Sequence, residues 1–466
     1  MTEAESEPAA PDTDDRVWAP ERRALATGLV LTITMVAFEN LGVATAMPVV
    51  ARDLHGVNLY GWTFTATFLG SIVGISLAGE RVDRVGPAGP YLGGLALFAT
   101  GLLSCGLAPT MPILVASRFV QGLGVGAVPA VVYAAIGRAF SERSRARLFA
   151  VLSTAWVMPG LVGPGISGVV AEGIGWRWVF LGVLPLVAVS GALTLPPLAR
   201  LGPPPAAVNA MLREDRRRVA YALVLASSTA LLVGGLERAD AVTLALVVAG
   251  LAGAIVPLRR LLPAGTFLAR DGVPAAVATR GLQAFCFFGG EAFLPLSLTD
   301  VRGQRASIAG LVLTGSTLSW AAGAWLQDRR GHLWGRRTMV RRGITCLVVG
   351  VAGAGAAAVT HAVPVVVAGA AWTLAGLGMG MSYSGLSLVV LDDTAPGGEG
   401  RAVSALQLAE MLSIAVGAGA AGAIVAAASR SGDLRPGLAL SFVLPVVAGL
   451  GAVAISAASE RRHRRG

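Results

Sequence analysis

The stretch "TITMVAFENLGVATAMPVVA", Thr32 to Ala51, decides how the chain is read. Nearly all of it suits hydrocarbon, yet Glu39 and Asn40 stand near its middle. About 20 apolar residues in a helix match the thickness of a bilayer core, and runs of this kind recur from Leu25 to Ala457. Across 466 residues the chain is 54% hydrophobic and only 14% charged, against about 25% charged in a soluble domain. A large soluble protein with buried helices would show polar faces at helical spacing, and those faces are missing. The composition therefore specifies an all-α integral membrane protein.

The net charge of +10 comes from 37 basic residues, all of them arginine. Most lie in short loops between apolar runs, so no nucleic-acid partner is expected. Without lysine the chain has no phosphate-binding Walker A loop and no site for a lysine Schiff base. Cys105, Cys286 and Cys346 lie in apolar runs and read as small hydrophobes. His55, His332, His361 and His463 are far apart and show no metal-site spacing.

The apolar runs number about fourteen, near 24–50, 60–80, 89–108, 111–135, 148–171, 178–198, 217–236, 241–258, 272–298, 306–327, 339–359, 363–390, 402–428 and 437–457. With the N-terminus placed in the cytoplasm, 28 arginines fall on the cytoplasmic side and seven on the outer side, while Arg118 and Arg280 stay inside spans. That bias orients the chain with both termini cytoplasmic. The expected organisation is an acidic disordered tail over 1–20, a six-helix bundle over 21–200, a linker and two-helix insert over 201–265, a second six-helix bundle over 266–458 and a basic cytoplasmic tail over 459–466. With loops this short, almost all chemistry must occur within the membrane or at its edges.

An internal repeat supports the two bundles. "GERVDRVG" (Gly79–Gly86) follows the second span and "AWLQDRRG" (Ala324–Gly331) follows the tenth, and both read small-x-x-x-Asp-Arg-x-Gly. Asp83 with Arg84, and Asp328 with Arg329, could cap a helix or pair across a bundle as a charge latch, while Gly86 and Gly331 permit a tight turn. Two similar halves in parallel place a substrate path between them near the midplane. The fourth span carries "RFVQGLGVGA", in which Arg118, Gln121 and Gly122 share a helix face and Gly122 and Gly126 form a small-x-x-x-small ridge. An arginine inside a span faces a partner or a cavity, or snorkels to the interface. The fifth span carries "PGLVGPGISG", where Pro164 bends the helix and Gly163 and Gly168 admit a neighbour.

These motifs resemble those of the major facilitator superfamily, and specifically its fourteen-span drug:proton antiporters. "GERVDRVG" resembles the family's loop motif, "RFVQGLGVGA" its fourth-span motif, and "GPGISG" the fifth-span motif associated with antiporters rather than uptake systems. The first span resembles a family pattern with an acid nine residues before a proline, here Glu39 and Pro48. Pro87 and Ala88 replace the basic residues that usually end the loop motif, and Glu39 stands where aspartate is usual. The resemblance implies two six-helix bundles of the major facilitator fold and a secondary transporter rather than an enzyme. It implies efflux of hydrophobic or cationic small molecules from a cell inner membrane. No catalytic residue, metal or cofactor is expected, and the proton gradient supplies the energy.

The buried acid then has a purpose. Desolvation disfavours the ionised carboxyl, so a glutamic acid near mid-membrane is poised to gain and lose a proton. Glu291, in "CFFGGEAFLPL" of the ninth span, and Glu410, in "LQLAEMLSIAVG" of the thirteenth, are further proton-coupling candidates; Arg118 or Arg280 could instead pair with Glu410. Phe38, Asn40, Trp62, Phe288, Trp320 and Trp372 are candidates for lining a substrate cavity. Other readings are an exporter of lipids or of a dedicated natural product, and a non-transporting membrane scaffold. A scaffold would not need isolated acids inside its spans.

Overall fold

The computed structural model describes residues 17–202, 216–237, 242–394 and 399–463. The acidic residues up to 16, the linker over 203–215 and the last three residues lie outside the described residues.

Fourteen long helices follow one another among the described residues. The first six are α1 (Pro20–Asp53), α2 (Tyr60–Val85), α3 (Ala88–Gly106), α4 (Met111–Ala139), α5 (Glu142–Val170) and α6 (Leu184–Arg200), the last preceded by a short helical piece at Arg177–Leu181. Then come α7 (Arg216–Leu236) and α8 (Val242–Leu261). The last six are α9 (Val273–Leu296), α10 (Ala306–Trp334), α11 (Arg336–Ala358), α12 (Val365–Asp392), α13 (Glu399–Ser429) and α14 (Leu434–His463). Thirteen described helices are both long and apolar enough to cross a membrane. The exception, α10, has the length, but Ser307, Thr314, Ser316, Thr317 and Ser319 lower its apolarity. It tolerates them because hydroxyls there bond to backbone carbonyls: Ser316 to Leu313, and Ser319 to Ser316 and to Thr373 of α12.

The pairing of helices repeats. In the first bundle α2 and α3 pack on α4, and α1 packs on α5 and α6. In the second, α10 and α11 pack on α12, and α9 packs on α13 and α14. Each pairing recurs eight helices later, with α7 and α8 left over as the insert.

Glycines set the closest approaches. A Cβ on Gly122 or Gly126 would lie 2.2 Å from the Thr67 carbonyl oxygen or 2.1 Å from that of Ser71, both on α2. On α12 the counterparts are Gly376 and Gly380, where a Cβ would lie 2.2 Å from the Ser316 oxygen and 2.0 Å from the Trp320 oxygen. Backbone at this distance maximises dispersion contact where no hydrophobic force drives helices together.

The same contacts correct the register of the sequence repeat. Asp83 and Asp328 are 245 residues apart, but Thr67 and Ser71 match Ser316 and Trp320 at 249. At 249 the counterpart of Gly86 is Gly335. Both end their helices, with φ of +85° and +80°. Gly331, read from sequence as the turn, sits one helical turn earlier inside α10. The four-residue similarity at 245 is offset from this register by one turn, because a helix presents the same face again after about four residues.

The bundles close on one another in the half where α1 ends. Gly61 of α2 lies against Gly422 of α13, Gly168 of α5 against Ser307 of α10, and Pro164 of α5 against Gly310 of α10. Thr65 donates to the Ala415 carbonyl at 3.0 Å, and the rings of Tyr60 and Phe293 meet at 5.3 Å. Glu172, just past α5, accepts from the backbone N–H of Ala306 at 2.5 Å. It lies 3.3 Å from both Arg305 and Ser307. A carboxylate from one bundle thus caps a helix N-terminus of the other.

Gly126→Ala is expected to lower stability by about 1–3 kcal/mol, since backbone stands where the methyl must go. Gly93→Ala, whose Cβ would meet nothing within 4 Å, should leave it unchanged or slightly raised. Thermal unfolding of the purified variants in detergent checks the contrast.

Candidate functional site

Glu39 lies inside α1 and is 1% exposed. Its Oε1 accepts a hydrogen bond from Arg118 Nη1 of α4, which is 3% exposed. Arg118 also donates to Gln121 Oε1 at 2.6 Å and, through Nε, to the Thr63 carbonyl of α2 at 3.3 Å. One guanidinium therefore holds three helices, its five donors in a planar fork suiting that task better than a lysine ammonium would. Arg118 does not snorkel; it is the counter-ion of Glu39. Burying either charge alone would be costly, and together they neutralise one another. The two residues stand 79 positions apart, and nothing in the sequence alone pairs them.

The second bundle carries the same groups on different helices. Arg280 of α9 is 1% exposed, and its Nη1 lies 3.7 Å from Glu410 Oε2 of α13. Its Nη2 donates to the Tyr383 carbonyl and to Ser387 Oγ, each at 2.7 Å, on α12. The guanidinium carbon stands 3.6 Å over the Tyr383 ring, within cation–π range. The Tyr383 hydroxyl donates to the Glu410 carboxylate, at 3.0 Å and 3.2 Å from its two oxygens. Of the two arginines read as possible partners of Glu410, the structure brings Arg280. Here the acid is held more loosely than Glu39: a phenol donates to it, while the arginine is an ion-pair neighbour beyond hydrogen-bond distance.

Glu291 of α9 is half-buried and has no hydrogen-bond or ion-pair partner among the described residues. It follows Phe287 and Phe288 by four and three positions, so it shares their side of the helix. Phe287 stacks on Trp372 at 5.0 Å and meets Phe288 and Trp320 edge-on at 5.2 Å and 5.4 Å. Trp320 continues to Tyr383 at 5.4 Å. A wall of rings thus runs from below Glu291 to the Arg280–Glu410 pair.

Other cavity candidates fall elsewhere. Trp372 is fully buried within its bundle, so it backs the wall instead of facing a cavity. Trp62 is turned to the insert, donating to Glu237 at the end of α7 at 2.5 Å. Asn40 donates to the Val36 carbonyl of its own helix at 2.9 Å. Phe38 is half-buried and lies against Gly163 of α5.

Among the loop-motif residues, Arg84 pairs with Glu80 one turn away at 2.6 Å, Gly79 borders open space, and the side chain of Asp83 lies outside the described residues. Asp328 is exposed on α10 without a partner among the described residues, and Arg329 covers Trp325 at 4.2 Å. The charge pairs near this end of the second bundle come from residues outside the Asp-Arg motif. Arg336 pairs with Asp392, Arg337 with Asp393 at 2.8 Å, and Arg341 with Glu460 at 2.9 Å. Their signal was the pair of arginines directly after the turn glycine Gly335.

Comparison with known proteins agrees with this architecture. A probable multidrug-efflux transporter of Mycobacterium tuberculosis is 27% identical over 475 residues, covering 95% of this chain and 96% of the relative. The methylenomycin A resistance protein of Streptomyces coelicolor is 27% identical over 460 residues, covering 94% and 92%. Among solved structures, a peptide transporter, POT, superposes with TM-score 0.66 at 15% identity, covering 94% of this chain and 95% of that one. The xylose transporter XylE from E. coli gives 0.61 at 15%, covering 93% and 97%. These structures share the fold. The model of the Major Facilitator Superfamily matches residues 27–418, and with that match the helix pairing, the repeat and the buried charges have one explanation: the chain belongs to the Major Facilitator Superfamily of membrane transporters.

Proposed function

We propose that the chain exports hydrophobic or cationic small molecules from the cell in exchange for protons, by alternating access between its two bundles. The observation that carries this reading is the placement of carboxyls inside the membrane, each bundle holding one against an arginine from another helix: Glu39 with Arg118 and Glu410 with Arg280. The arginine bias supports a cytoplasmic position for both termini and an outer position for the closed seam. The relatives' names, for multidrug efflux and for resistance to methylenomycin A, support export.

Each carboxylate has two possible neutralisers, its arginine and a proton. When Glu39 takes a proton, Arg118 loses its counter-ion but keeps Gln121 and the Thr63 carbonyl. α1 is then free to shift against α4. When the site meets the cytoplasm the proton leaves and the pair re-forms. A cationic substrate competes with the proton for the same negative charge, so the two are carried in opposite directions. The wall of Phe288, Trp320 and Tyr383 offers apolar and cation–π contact for the organic part. One charge moved across 100 mV supplies about 2.3 kcal/mol. The Streptomyces relative also favours a narrower version of this reading, in which the cargo is a single natural product.

In everted membrane vesicles, wild-type protein is expected to accumulate a cationic dye only when a pH gradient is imposed. Glu39→Gln should lower that flux at least tenfold, whereas Glu39→Asp, which keeps the charge, should retain part of it. Full gradient-driven flux in a folded Glu39→Gln variant would remove Glu39 from the coupling. Glu410→Gln should raise the KM for cations more than for neutral compounds. An equal change for both would assign Glu410 to structure rather than to substrate charge.

A further inference from the structure

The insert has no counterpart in either bundle, and its packing shows where it acts. α7 lies across the seam between the bundles. Its Ala226 packs with Leu69 and Val73 of α2 and with Ala415 of α13. Its Val233 fills the space beside Gly419 of α13, next to Thr65 of α2. At the end of α7, Glu237 Oε2 accepts from Trp62 Nε1 of α2 at 2.5 Å, and the Glu237 carbonyl accepts from Arg430, just past α13, at 3.4 Å. Glu237 Oε1 is buried without a hydrogen-bond partner among the described residues. α8 packs on α7 and leaves its other faces exposed.

We propose that α7 is a clasp over the outer seam and that Glu237 is its pH-sensitive end, holding the seam closed when it takes a proton from the outer side. The inference rests on the reading that the bundles alternate access. For the outer ends of α2 and α13 to part, the contacts of α7 with one of them must break, and Glu237 would then face water. In the closed seam burial pushes its carboxyl up from 4.5 to about 7, outweighing the opposing effects of the Trp62 hydrogen bond and of Arg430. Once in water it returns toward the ordinary carboxylate range.

The closed seam therefore binds the proton more tightly than the open one. Acidification from about 7 toward 4.5 favours closing, and the effect is lost as pH rises above 7. A protonated Glu237 still offers Trp62 its carbonyl oxygen, so the hydrogen bond survives the change. The groups facing Glu237 are Trp62 from α2 and Arg430 from the end of α13, and the first turn of α8 carries no acid. Arg238 and Asp240, next in the chain, lie outside the described residues. The sign suits exchange: after cargo leaves outward, an acidic exterior promotes the return stroke.

The test is double electron–electron resonance on the full-length protein in lipid nanodiscs. Nitroxides go on Asn58→Cys and Ser431→Cys, two exposed positions flanking the seam, with Cys105, Cys286 and Cys346 replaced by serine. In otherwise wild-type protein the short-distance population should grow as pH falls from 8 to 5, by at most about tenfold per pH unit. Glu237→Gln, which mimics the protonated acid, should raise that population above the unsubstituted value at pH 7 and higher and flatten its response to pH. Trp62→Phe, which keeps the ring and removes the donor, should lower it throughout. A Glu237→Gln curve that follows the unsubstituted one, or no response to pH before substitution, would overturn the clasp. A vesicle assay without export alongside a responsive seam would reject the transport reading and leave the clasp standing.

Discussion

A charged side chain in the middle of a membrane costs about 3 kcal/mol or more, and the first bundle is organised around offsetting that cost for Glu39. Arg118 supplies the opposite charge from α4, Gln121 and the Thr63 carbonyl accept two further hydrogen bonds from it, and three helices are thereby set relative to one another. Removing one member of such a pair typically costs about 3–5 kcal/mol, because the other is left buried and uncompensated. The pair is therefore a structural joint between α1, α2 and α4.

The second bundle reuses the chemistry without copying the positions. Its arginine sits on the first helix of the bundle and its acid on the fifth, with a tyrosine between them acting as both hydrogen-bond donor and ring platform. The looser geometry at Glu410 sets it apart from the directly bonded Glu39. The two bundles therefore hold their acids differently, one by a direct arginine hydrogen bond and the other by a phenol.

Rocking bundles need surfaces that fit closely and yet separate. Glycine provides both at the seam where α1 ends, where Gly61 meets Gly422 and Gly168 meets Ser307 with backbone against backbone. The polar contacts added there include Glu172 with the start of α10, Thr65 with the Ala415 carbonyl and Glu237 with Trp62. They direct the closed arrangement at little cost when broken, since water can solvate them once the seam parts.

The sequence alone determined the membrane class and the number of long helices, because hydrophobic length is a local property that each segment carries by itself; helix ends such as Glu142 and Trp334 run up to seven residues past the apolar runs. It also marked Glu39, Arg118, Arg280 and Glu410, since charge in hydrocarbon is expensive enough to stand out one residue at a time. Tertiary structure alone decided which acid meets which arginine, that Trp372 backs the ring wall while Trp62 turns to the insert, and that the repeat is in register at Gly86 and Gly335 instead of at Asp83 and Asp328. Those choices depend on the rotation and offset of helices far apart in the chain. Periodicity shows that a helix has faces, and only packing fixes what each face meets.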